Sequence, residues 1–346
     1  MSRQAPYRAP RWLRNPHLQS VLASSRLRRV TGGRHGRRIE AESTEHVLDC
    51  GDGVRLLGRY NAQSILPAPR GMVVLFHGWE GSTASSYLLR TGAQLLDAGF
   101  DVFRLNFRDH GDTHHLNPGI FHSCRIDEVV GAVAAIQRQW QPDFLGVAGY
   151  SLGGNFALRV ALRSPAAGIS LDHAAAICPI LSPPSGLQAM EQSPWFYEHY
   201  FMLKWGASLR RKRKLFPDVL PEELTSGSGV RDLTRRLIEH VGDFEDLEAY
   251  LDGYSVAGNR LAALQMPVSI LTAADDPIIP IDDFRRLQLP PHARLDIAEH
   301  GGHCGFLLDA RLNGYAERYV TQRMLDAQRR QSSRITPGLQ EPAAAG

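Results

Sequence analysis

A serine between two glycines stands where it could act as a nucleophile. Residues 149–153 read Gly-Tyr-Ser-Leu-Gly; they follow the apolar run Leu145–Ala148 and precede a helix-like segment that begins at Asn155. A tight strand-to-helix turn of this kind exposes the serine hydroxyl, and its glycines allow the backbones to approach closely. Because the chain contains 32 Gly, the pattern alone is weak. The prediction of Ser151 as nucleophile therefore depends on partner residues.

Those partners occur downstream in the required order. A serine hydroxyl becomes reactive when an imidazole takes its proton, and a carboxylate orients that imidazole. Asp276 follows a predicted strand, and His303 follows the next one, which gives the chain order Ser, Asp, His. We predict a catalytic triad of Ser151, Asp276 and His303. Asp275 stays an alternative for the acid because a one-residue shift would exchange the two roles, and His300 is the alternative imidazole.

A second glycine-containing turn could stabilise negative charge on the substrate. Residues 77–81 read His-Gly-Trp-Glu-Gly and end a predicted strand about 70 residues before the serine. This turn resembles one whose next backbone N–H completes an oxyanion hole beside a nucleophilic serine. The predicted donors are the backbone N–H groups of Trp79 and Leu152.

The elements that must position these residues alternate between strands and helices. Short runs rich in Val, Ile, Leu and Phe between residues 45 and 310 are separated by helix-length segments, which is typical of a mostly parallel sheet. The turn-rich Cys50–Gly53 joins the first two strands and predicts an antiparallel start. The eight predicted strands are Val47–Asp49, Val54–Tyr60, Met72–His77, Asp101–Asn106, Leu145–Ala148, His173–Cys178, Val268–Ala273 and Arg294–Ala298.

The alternation is interrupted once, which divides the chain. Residues 182–259 open with two prolines and read as a helical lid inserted into an α/β core formed by residues 45–181 and 260–330. Residues 1–44 carry ten Arg and a few acids, and we expect this basic segment to pack on an otherwise acidic body. Residues 331–346 are poor in large apolar side chains and are predicted to be disordered.

Three segments together resemble a known family. They are Asn15–Leu22 (Asn-Pro-His-Leu-Gln-Ser-Val-Leu), His77–Ser82 (His-Gly-Trp-Glu-Gly-Ser) and Gly149–Asn155 (Gly-Tyr-Ser-Leu-Gly-Gly-Asn). They resemble the YheT-like branch of the α/β-hydrolases over about residues 10–325, and the first is the discriminating one. The resemblance implies an α/β-hydrolase fold and a serine hydrolase acting on carboxylic esters. Some relatives use lipid or medium-chain acyl substrates or transfer acyl groups to alcohols.

One loop departs from that branch. Residues 106–117 contain several polar and histidine residues where the branch more often has an Arg-Gly turn followed by Ser-Gly. The side chains in this loop and shortly after it that could bind a metal are His110, Asp112, His114, His115 and His122. Serine hydrolysis needs no metal, and polar loops after a strand commonly line a site, so a loop function is favoured. We expect neither a metal nor a cofactor in the active site.

The lid contains an aromatic stretch beside a basic one. The aromatic residues from Trp195 to Trp205 either pack the lid on the body or form the wall of an acyl-binding site, and they can do both. Arg210–Lys214 consists of five basic residues. This run suits contact with an anionic membrane surface, although a solvated charged face is the simpler interpretation.

Composition excludes several classes of protein. No apolar run reaches the roughly 20 residues of a membrane-spanning helix, and the N-terminus lacks an apolar export segment, so we expect a cytoplasmic protein, with peripheral membrane contact as an option. Cys50, Cys124, Cys178 and Cys304 are far apart in sequence and include no Cys-x-x-Cys pair, which favours free thiols.

These features favour a carboxylesterase or lipase-like serine hydrolase that works through an acyl-enzyme on a small-molecule ester. Transfer of the acyl group to an alcohol uses the same triad and stays an alternative. A third alternative is a non-catalytic binding protein with this fold, although such a protein would be expected to have lost a triad residue. The N-terminal arginines belong to no nucleic-acid motif, so no nucleic-acid partner is expected.

Overall fold

A twisted sheet organises the protein, for which a computed structural model describes residues 2–25, 27–28 and 38–335. Within these ranges the sheet has nine strands in the order β1-β9-β8-β7-β6-β4-β5-β3-β2. Neighbours are parallel from β1 to β5, whereas β3 pairs antiparallel with β5 and with β2. The strands are β1 (Ser2–Gln4), β2 (Thr44–Asp49), β3 (Arg55–Asn61), β4 (Met72–Phe76), β5 (Asp101–Leu105), β6 (Leu145–Tyr150), β7 (His173–Ile177), β8 (Val268–Ala273) and β9 (Arg294–Ala298).

The eight predicted strands are confirmed, and so is the antiparallel start. The prediction of an eight-stranded sheet is one strand short, because β1 adds a parallel edge strand beside β9. Three residues are too few to show an alternating pattern. Their pairing depends on the neighbouring edge of β9, and the backbone N–H of Ala5 continues it by donating to the Ile297 carbonyl at 2.9 Å.

Helices cover both faces of the sheet. One face is packed by α3 (Ile126–Trp140) and α4 (Leu152–Arg163), whose buried side chains join the larger apolar cluster. The other face is packed by α2 (Ser86–Asp97) and α10 (Tyr315–Ile335), through residues such as Leu88 and Val320. The remaining helices are α1 (Pro16–Ser24), α5 (Pro183–Gln192), α6 (Phe196–Leu215), α7 (Val230–Val241), α8 (Leu247–Gly253) and α9 (Ile281–Arg285).

The helical insertion lies between β7 and β8. It consists of α5 to α8, and buried leucines of α6 and α7 pack with Ile120 of the body into a separate apolar cluster. The insertion thereby covers the carboxyl ends of the strands. None of the helices within the described residues has the length and the apolar character needed to cross a bilayer.

The C-terminal boundary differs from the prediction. The disordered tail was expected from residue 331, but α10 runs to Ile335. The side chain of Gln331 donates to the Asp143 carbonyl at 2.6 Å and to Asp172 Oδ1 at 3.0 Å, which anchors the last turn on the body. Residues 336–346 of the predicted tail lie outside the described residues.

The basic N-terminal segment contacts the body where it is described. Leu13 is fully buried, and the Tyr7 hydroxyl donates to the Leu307 carbonyl at 2.8 Å. Arg28 forms a buried ion pair with Glu317 of α10. Residues 29–37, which hold three more of the arginines, lie outside the described residues.

Candidate active site

Ser151 occupies the sharp turn between β6 and α4. Its φ is +55°, a left-handed conformation that is uncommon for a residue other than glycine. The turn is so tight that a Cβ on Gly149 would lie 1.9 Å from the Gly153 carbonyl oxygen. Only glycine fits at position 149. The turn therefore lifts Ser151 out of the sheet edge, and a backbone hydrogen bond of 2.9 Å from Ser151 N–H to the Ile177 carbonyl holds it there.

The structure brings Ser151, His303 and Asp276 together. His303 Nε2 lies 2.9 Å from Ser151 Oγ, and His303 Nδ1 lies 2.9 Å from Asp276 Oδ2. A carboxylate only accepts hydrogen bonds, so Nδ1 carries the proton and the neutral ring offers its Nε2 lone pair to the serine hydroxyl. This is the tautomer that a general base next to Ser151 requires.

Asp276 is held as an oriented carboxylate. Its side chain is fully buried, and Oδ1 accepts the backbone N–H groups of Ile278 at 2.9 Å and Ile279 at 3.0 Å. These two bonds occupy one oxygen and leave the other directed at His303.

The two alternatives from the sequence form a separate pair. Asp275 Oδ2 lies 3.2 Å from His300 Nδ1, and Oδ1 accepts the backbone N–H of Gly302 at 2.9 Å. Asp275 therefore braces the loop that carries His303, whereas Asp276 contacts the imidazole itself.

The environment of His303 stabilises a positive charge on its ring. Burial alone lowers the pKa of this imidazole, but the adjacent Asp276 carboxylate and Cys304 outweigh burial and raise the pKa well above 6.5. A positive charge that forms on the ring when it accepts a proton is therefore stabilised by Asp276.

The predicted oxyanion turn lies against the serine. The Gly81 N–H donates to the Gly78 carbonyl at 2.9 Å and closes the turn, and a Cβ on Gly78 would lie 3.4 Å from the Ser151 Cβ. The next residue along is Trp79. On the other side Leu152 begins α4, and N–H groups in the first turn of a helix have no partner within that helix. Both predicted donors thus belong to segments that flank Ser151.

A buried histidine stiffens the same turn. His77 Nε2 accepts the Phe107 N–H at 3.2 Å, so Nδ1 carries the proton and donates to the Gly78 carbonyl at 2.8 Å. Burial holds the pKa of His77 well below its usual value, which keeps the ring neutral. The histidine of the His-Gly pair is therefore a support for the turn.

The N-terminal helix α1 contacts the loop that carries His303, and the sequence did not predict this contact. Asn15 caps the helix by accepting the Leu18 N–H at 3.0 Å. Gln19 is buried, and its Oε1 accepts the Leu307 N–H at 2.8 Å. The Ser20 hydroxyl accepts the backbone N–H of His303 at 2.8 Å. The sequence contained one signal for this contact. Gln19 and Ser20 are adjacent polar residues within Asn15–Leu22, a segment that was used only to recognise the family.

An apolar cavity of about 110 Å³ lies next to the segments that flank Ser151. Its lining includes Leu152 and Trp79, the two residues that carry the predicted oxyanion donors. Other lining side chains are Phe121, Leu187, Met190, Trp205, Tyr250 and Ile279.

The two tryptophans predicted to contact substrate differ in position. Trp205 lines the cavity and packs edge-on against Trp79, with ring centroids 5.2 Å apart. Trp195 is 75% exposed and lies outside the lining, so its placement in the acyl site is corrected. It precedes the first turn of α6, and its ring packs on His199 at the surface.

The histidine-rich loop does not gather its side chains around one point. His110 Nδ1 donates to the Arg108 carbonyl at 2.7 Å, His114 Nε2 lies 2.8 Å from Ser208 Oγ, and His122 faces Asp243 at 3.6 Å. Burial lowers the pKa of His110 to about 4. These contacts attach the loop to both the lid and the body.

The basic run is partly paired with acidic residues of the same chain. Lys212 is buried and pairs with Asp109 at 2.7 Å, Arg211 pairs with Asp112 at 2.7 Å, and Arg213 contacts Glu222 at 3.1 Å. The pairs of Lys212 and Arg211 join α6 to the histidine-rich loop, and the pair of Arg213 lies within the lid. Arg210 and Lys214 are exposed.

Comparison with known proteins identifies the family. A family model described as alpha/beta hydrolase fold matches residues 71–310. YheT of Escherichia coli (strain K12), named as a candidate esterase, is 28% identical over 322 residues, which cover 88% of each chain. The esterase Pf2001 of Pyrococcus furiosus superposes with a TM-score of 0.55 at 14% identity, over 85% of this chain and 94% of that one. A bacterial membrane phospholipase A superposes with a TM-score of 0.53 at 18% identity, over 90% and 93%. The matched model spans more than half of the chain, so the protein belongs to the α/β-hydrolase fold family, within which it is YheT-like.

Proposed function

We propose that the protein is a serine hydrolase that cleaves carboxylic esters through an acyl-enzyme. The observation that carries this proposal is the continuous chain of 2.9 Å contacts from Ser151 Oγ through His303 to Asp276. A serine hydroxyl has no such reactivity without a base in contact with it. Its Escherichia coli relative is named as a candidate esterase, which agrees with this reaction class.

The proposed reaction begins with proton transfer. His303 Nε2 takes the proton of Ser151 as Oγ attacks the ester carbonyl carbon, and Asp276 stabilises the imidazolium that forms. The carbonyl oxygen gains negative charge, which the N–H groups of Trp79 and Leu152 stabilise. His303 then gives the proton to the departing alcohol. Water attacks the acyl-enzyme in the same way and releases the carboxylic acid and free Ser151.

The cavity favours a short or medium acyl group. Its volume of about 110 Å³ is somewhat below that of an engineered cavity of about 150 Å³ that holds benzene. Its lining is mostly apolar and includes Trp79 and Leu152, which carry the two predicted oxyanion donors, so an acyl chain would occupy it while the alcohol faces solvent. We therefore propose esters of short to medium apolar acids as substrates.

Acyl transfer to an alcohol remains the second candidate, because it differs only in the molecule that attacks the acyl-enzyme. Product analysis in the presence of added alcohol separates the two: a hydrolase yields the free acid, and a transferase yields the new ester. A non-catalytic binding function is disfavoured because the three triad side chains are all present and in contact.

Peripheral contact with an anionic membrane is proposed for the surface next to the site. Leu203 of α6 is exposed, as are Leu18 and Val21 of α1. His17 joins the two helices, because its Nδ1 lies 3.1 Å from the Tyr197 hydroxyl. Exposed apolar side chains beside basic ones are typical of a helix that lies on a lipid surface.

The catalytic proposal is tested by labelling with a fluorophosphonate and by hydrolysis of p-nitrophenyl esters from acetate to palmitate. We expect the label on Ser151 and the highest kcat/KM with short or medium esters. Ser151→Ala should keep its melting temperature, lose the label and lose at least roughly 10⁴-fold in kcat. Esterase activity that survives in Ser151→Ala would refute the proposal.

A further inference from the structure

Two thiols lie beside His303 and have no part in the proposed hydrolysis. Cys178 follows the last residue of β7, and Cys304 follows His303 in the loop after β9. All four cysteines of the chain are free thiols, as the sequence predicted, but these two meet because β7 and β9 flank β8 in the sheet. Both have a left-handed backbone, with φ of +42° and +57°.

The thiols and the imidazole form a compact ligand set. The two Sγ atoms and a His303 ring nitrogen all lie within 4.8 Å of one another, and no other three His, Cys, Asp or Glu residues within the described ranges meet this condition. His303 Nε2 and Cys304 Sγ are 4.0 Å apart. Tetrahedral zinc bonds place two sulfurs about 3.8 Å apart and a sulfur and a nitrogen about 3.6 Å apart. The Cys304–His303 pair would close by about 0.4 Å to meet this geometry. The other two pairs start within 4.8 Å and would close by about 1 Å at most.

The hydrogen bonds of the thiols do not oppose that shift. Cys304 Sγ contacts the Ile177 carbonyl at 3.7 Å, and Cys178 Sγ contacts the Gly302 carbonyl at 3.9 Å. Both are long contacts made by weak donors. Loss of the thiol protons therefore removes only these two weak hydrogen bonds.

Asp276 supplies the outer partner that a metal-bound histidine needs. Such a histidine almost always donates its second ring N–H to a carboxylate or carbonyl. His303 Nδ1 already does so to Asp276 at 2.9 Å. The same bond that orients the ring toward Ser151 therefore also orients Nε2 as a metal ligand.

An ion can reach this position from the substrate side. Ser151, His303 and Cys304 are each partly exposed, while Cys178 closes the inner side and is fully buried. Ser151 Oγ lies 2.9 Å from Nε2, and it or a water molecule would stand in the fourth position.

We propose that Cys178, Cys304 and His303 form an inhibitory site for a thiophilic divalent cation such as Zn²⁺ or Cd²⁺. The cation replaces the two thiol protons and any proton on His303 Nε2. These protons pass to solvent, and two metal–sulfur bonds form without any change of oxidation state. His303 donates its Nε2 lone pair to the metal and can no longer take the proton of Ser151. The two thiolates neutralise the cation, so no net charge is added to a partly buried site.

Binding is tested first without reference to activity. Ser151→Ala protein is titrated with Cd²⁺, and the ultraviolet absorption of cadmium thiolate is followed. We expect saturation at one equivalent, with release of protons to a weak buffer. In the Ser151→Ala background, Cys178→Ser and Cys304→Ser should each weaken binding by about 10-fold or more. Cys124→Ser, which changes a thiol outside this ligand set, should leave the titration unchanged.

A second measurement uses the unmodified chain, so its result does not depend on whether the variants fold. Zn²⁺ should slow alkylation of Cys304 by iodoacetamide, located by mass spectrometry, and should leave alkylation of Cys124 unaffected. Equal labelling with and without Zn²⁺, or cadmium binding that survives in Cys304→Ser, would overturn the site.

The inhibitory consequence rests on the proposed function and is tested separately. Zn²⁺ at about one equivalent should abolish ester hydrolysis, EDTA should restore it, and EDTA alone should not change the rate. The Zn²⁺ concentration for half-inhibition should rise by about 10-fold or more in Cys178→Ser, relative to that variant's own metal-free rate. Cadmium binding without loss of hydrolysis would refute inhibition. Cadmium binding by a protein that hydrolyses no ester would refute the proposed function and leave the metal site standing.

Discussion

The hydroxyl of Ser20 accepts the backbone N–H of His303 at 2.8 Å and donates to the Pro16 carbonyl at 2.7 Å. A residue near the start of the chain thus helps to hold the predicted general base, which lies close to its end. The two segments are in close contact, because a Cβ on Gly302 would lie 2.3 Å from the Pro16 carbonyl oxygen. The N-terminal helix is therefore part of the support of the active site.

Removing the Ser20 hydroxyl should lower turnover. In Ser20→Ala the His303 N–H loses a partner in a largely buried position, which costs about 1–3 kcal/mol. We expect kcat for p-nitrophenyl butyrate to fall by about 10-fold with little change in KM. Ser24→Ala, an exposed position on the same helix, is the matched control. Equal kcat in both variants would show that this hydrogen bond does not position His303.

The two neighbouring aspartates should differ in their effect on turnover. Asp276→Asn presents a group that can no longer hold the Nδ1–H tautomer of His303, so kcat should fall by roughly 10³- to 10⁴-fold. Asp275→Asn alters only the brace of the loop through His300 and Gly302. We expect about a 10-fold loss or less. Steady-state kinetics of both variants decides the matter, and the opposite ranking would assign the acid to Asp275.

The pH profile should report the pKa of His303. The ring must be neutral to accept the serine proton, so kcat/KM falls as the pH drops through this pKa. Asp276 raises that pKa, and the midpoint of the acid limb should therefore lie above 6.5. In Asp276→Asn the stabilising charge is lost and the midpoint should move to lower pH. An unmoved midpoint would mean that another group controls the limb.

Shortening the tryptophan that lines the cavity should change chain-length preference. Trp205→Ala removes part of the cavity wall, so the optimum should shift toward longer p-nitrophenyl esters. Trp195→Ala removes an exposed ring outside the cavity and serves as the control. Its profile should match that of the wild type. If Trp205→Ala also matches the wild type, the acyl group binds elsewhere.

Membrane contact should depend on the exposed members of the basic run. The double change Arg210→Gln with Lys214→Gln leaves the buried Lys212–Asp109 pair intact. Each basic residue near an anionic surface contributes about 1 kcal/mol, so binding to phosphatidylserine vesicles at low salt should weaken by about 10-fold or more. Turnover of a short soluble ester should not change. Arg260→Gln, at another exposed position, is the control in the same sedimentation assay.

The sequence alone determined the strands and the site residues that depend on local pattern. Apolar runs rich in Val and Ile can be buried on both faces, so eight strands were predictable from their composition. The glycines around Ser151 reflect a local steric demand, which is why the turn was recognisable. The chain order of Ser151, Asp276 and His303 follows from the order of the strands, and the structure brings the three together at one sheet edge.

Tertiary structure decided what depends on contacts between distant segments. Whether Asp275 or Asp276 contacts His303 depends on how the loop after β8 turns, and adjacent residues of the same type carry no local signal for that choice. Ser20 meets His303 only because α1 packs against the loop after β9. Cys178 and Cys304 are 126 positions apart and become neighbours through the strand order. Pairing of β1 with β9, partial burial of Trp205 and exposure of Trp195 likewise depend on partner surfaces that exist only after the chain has folded.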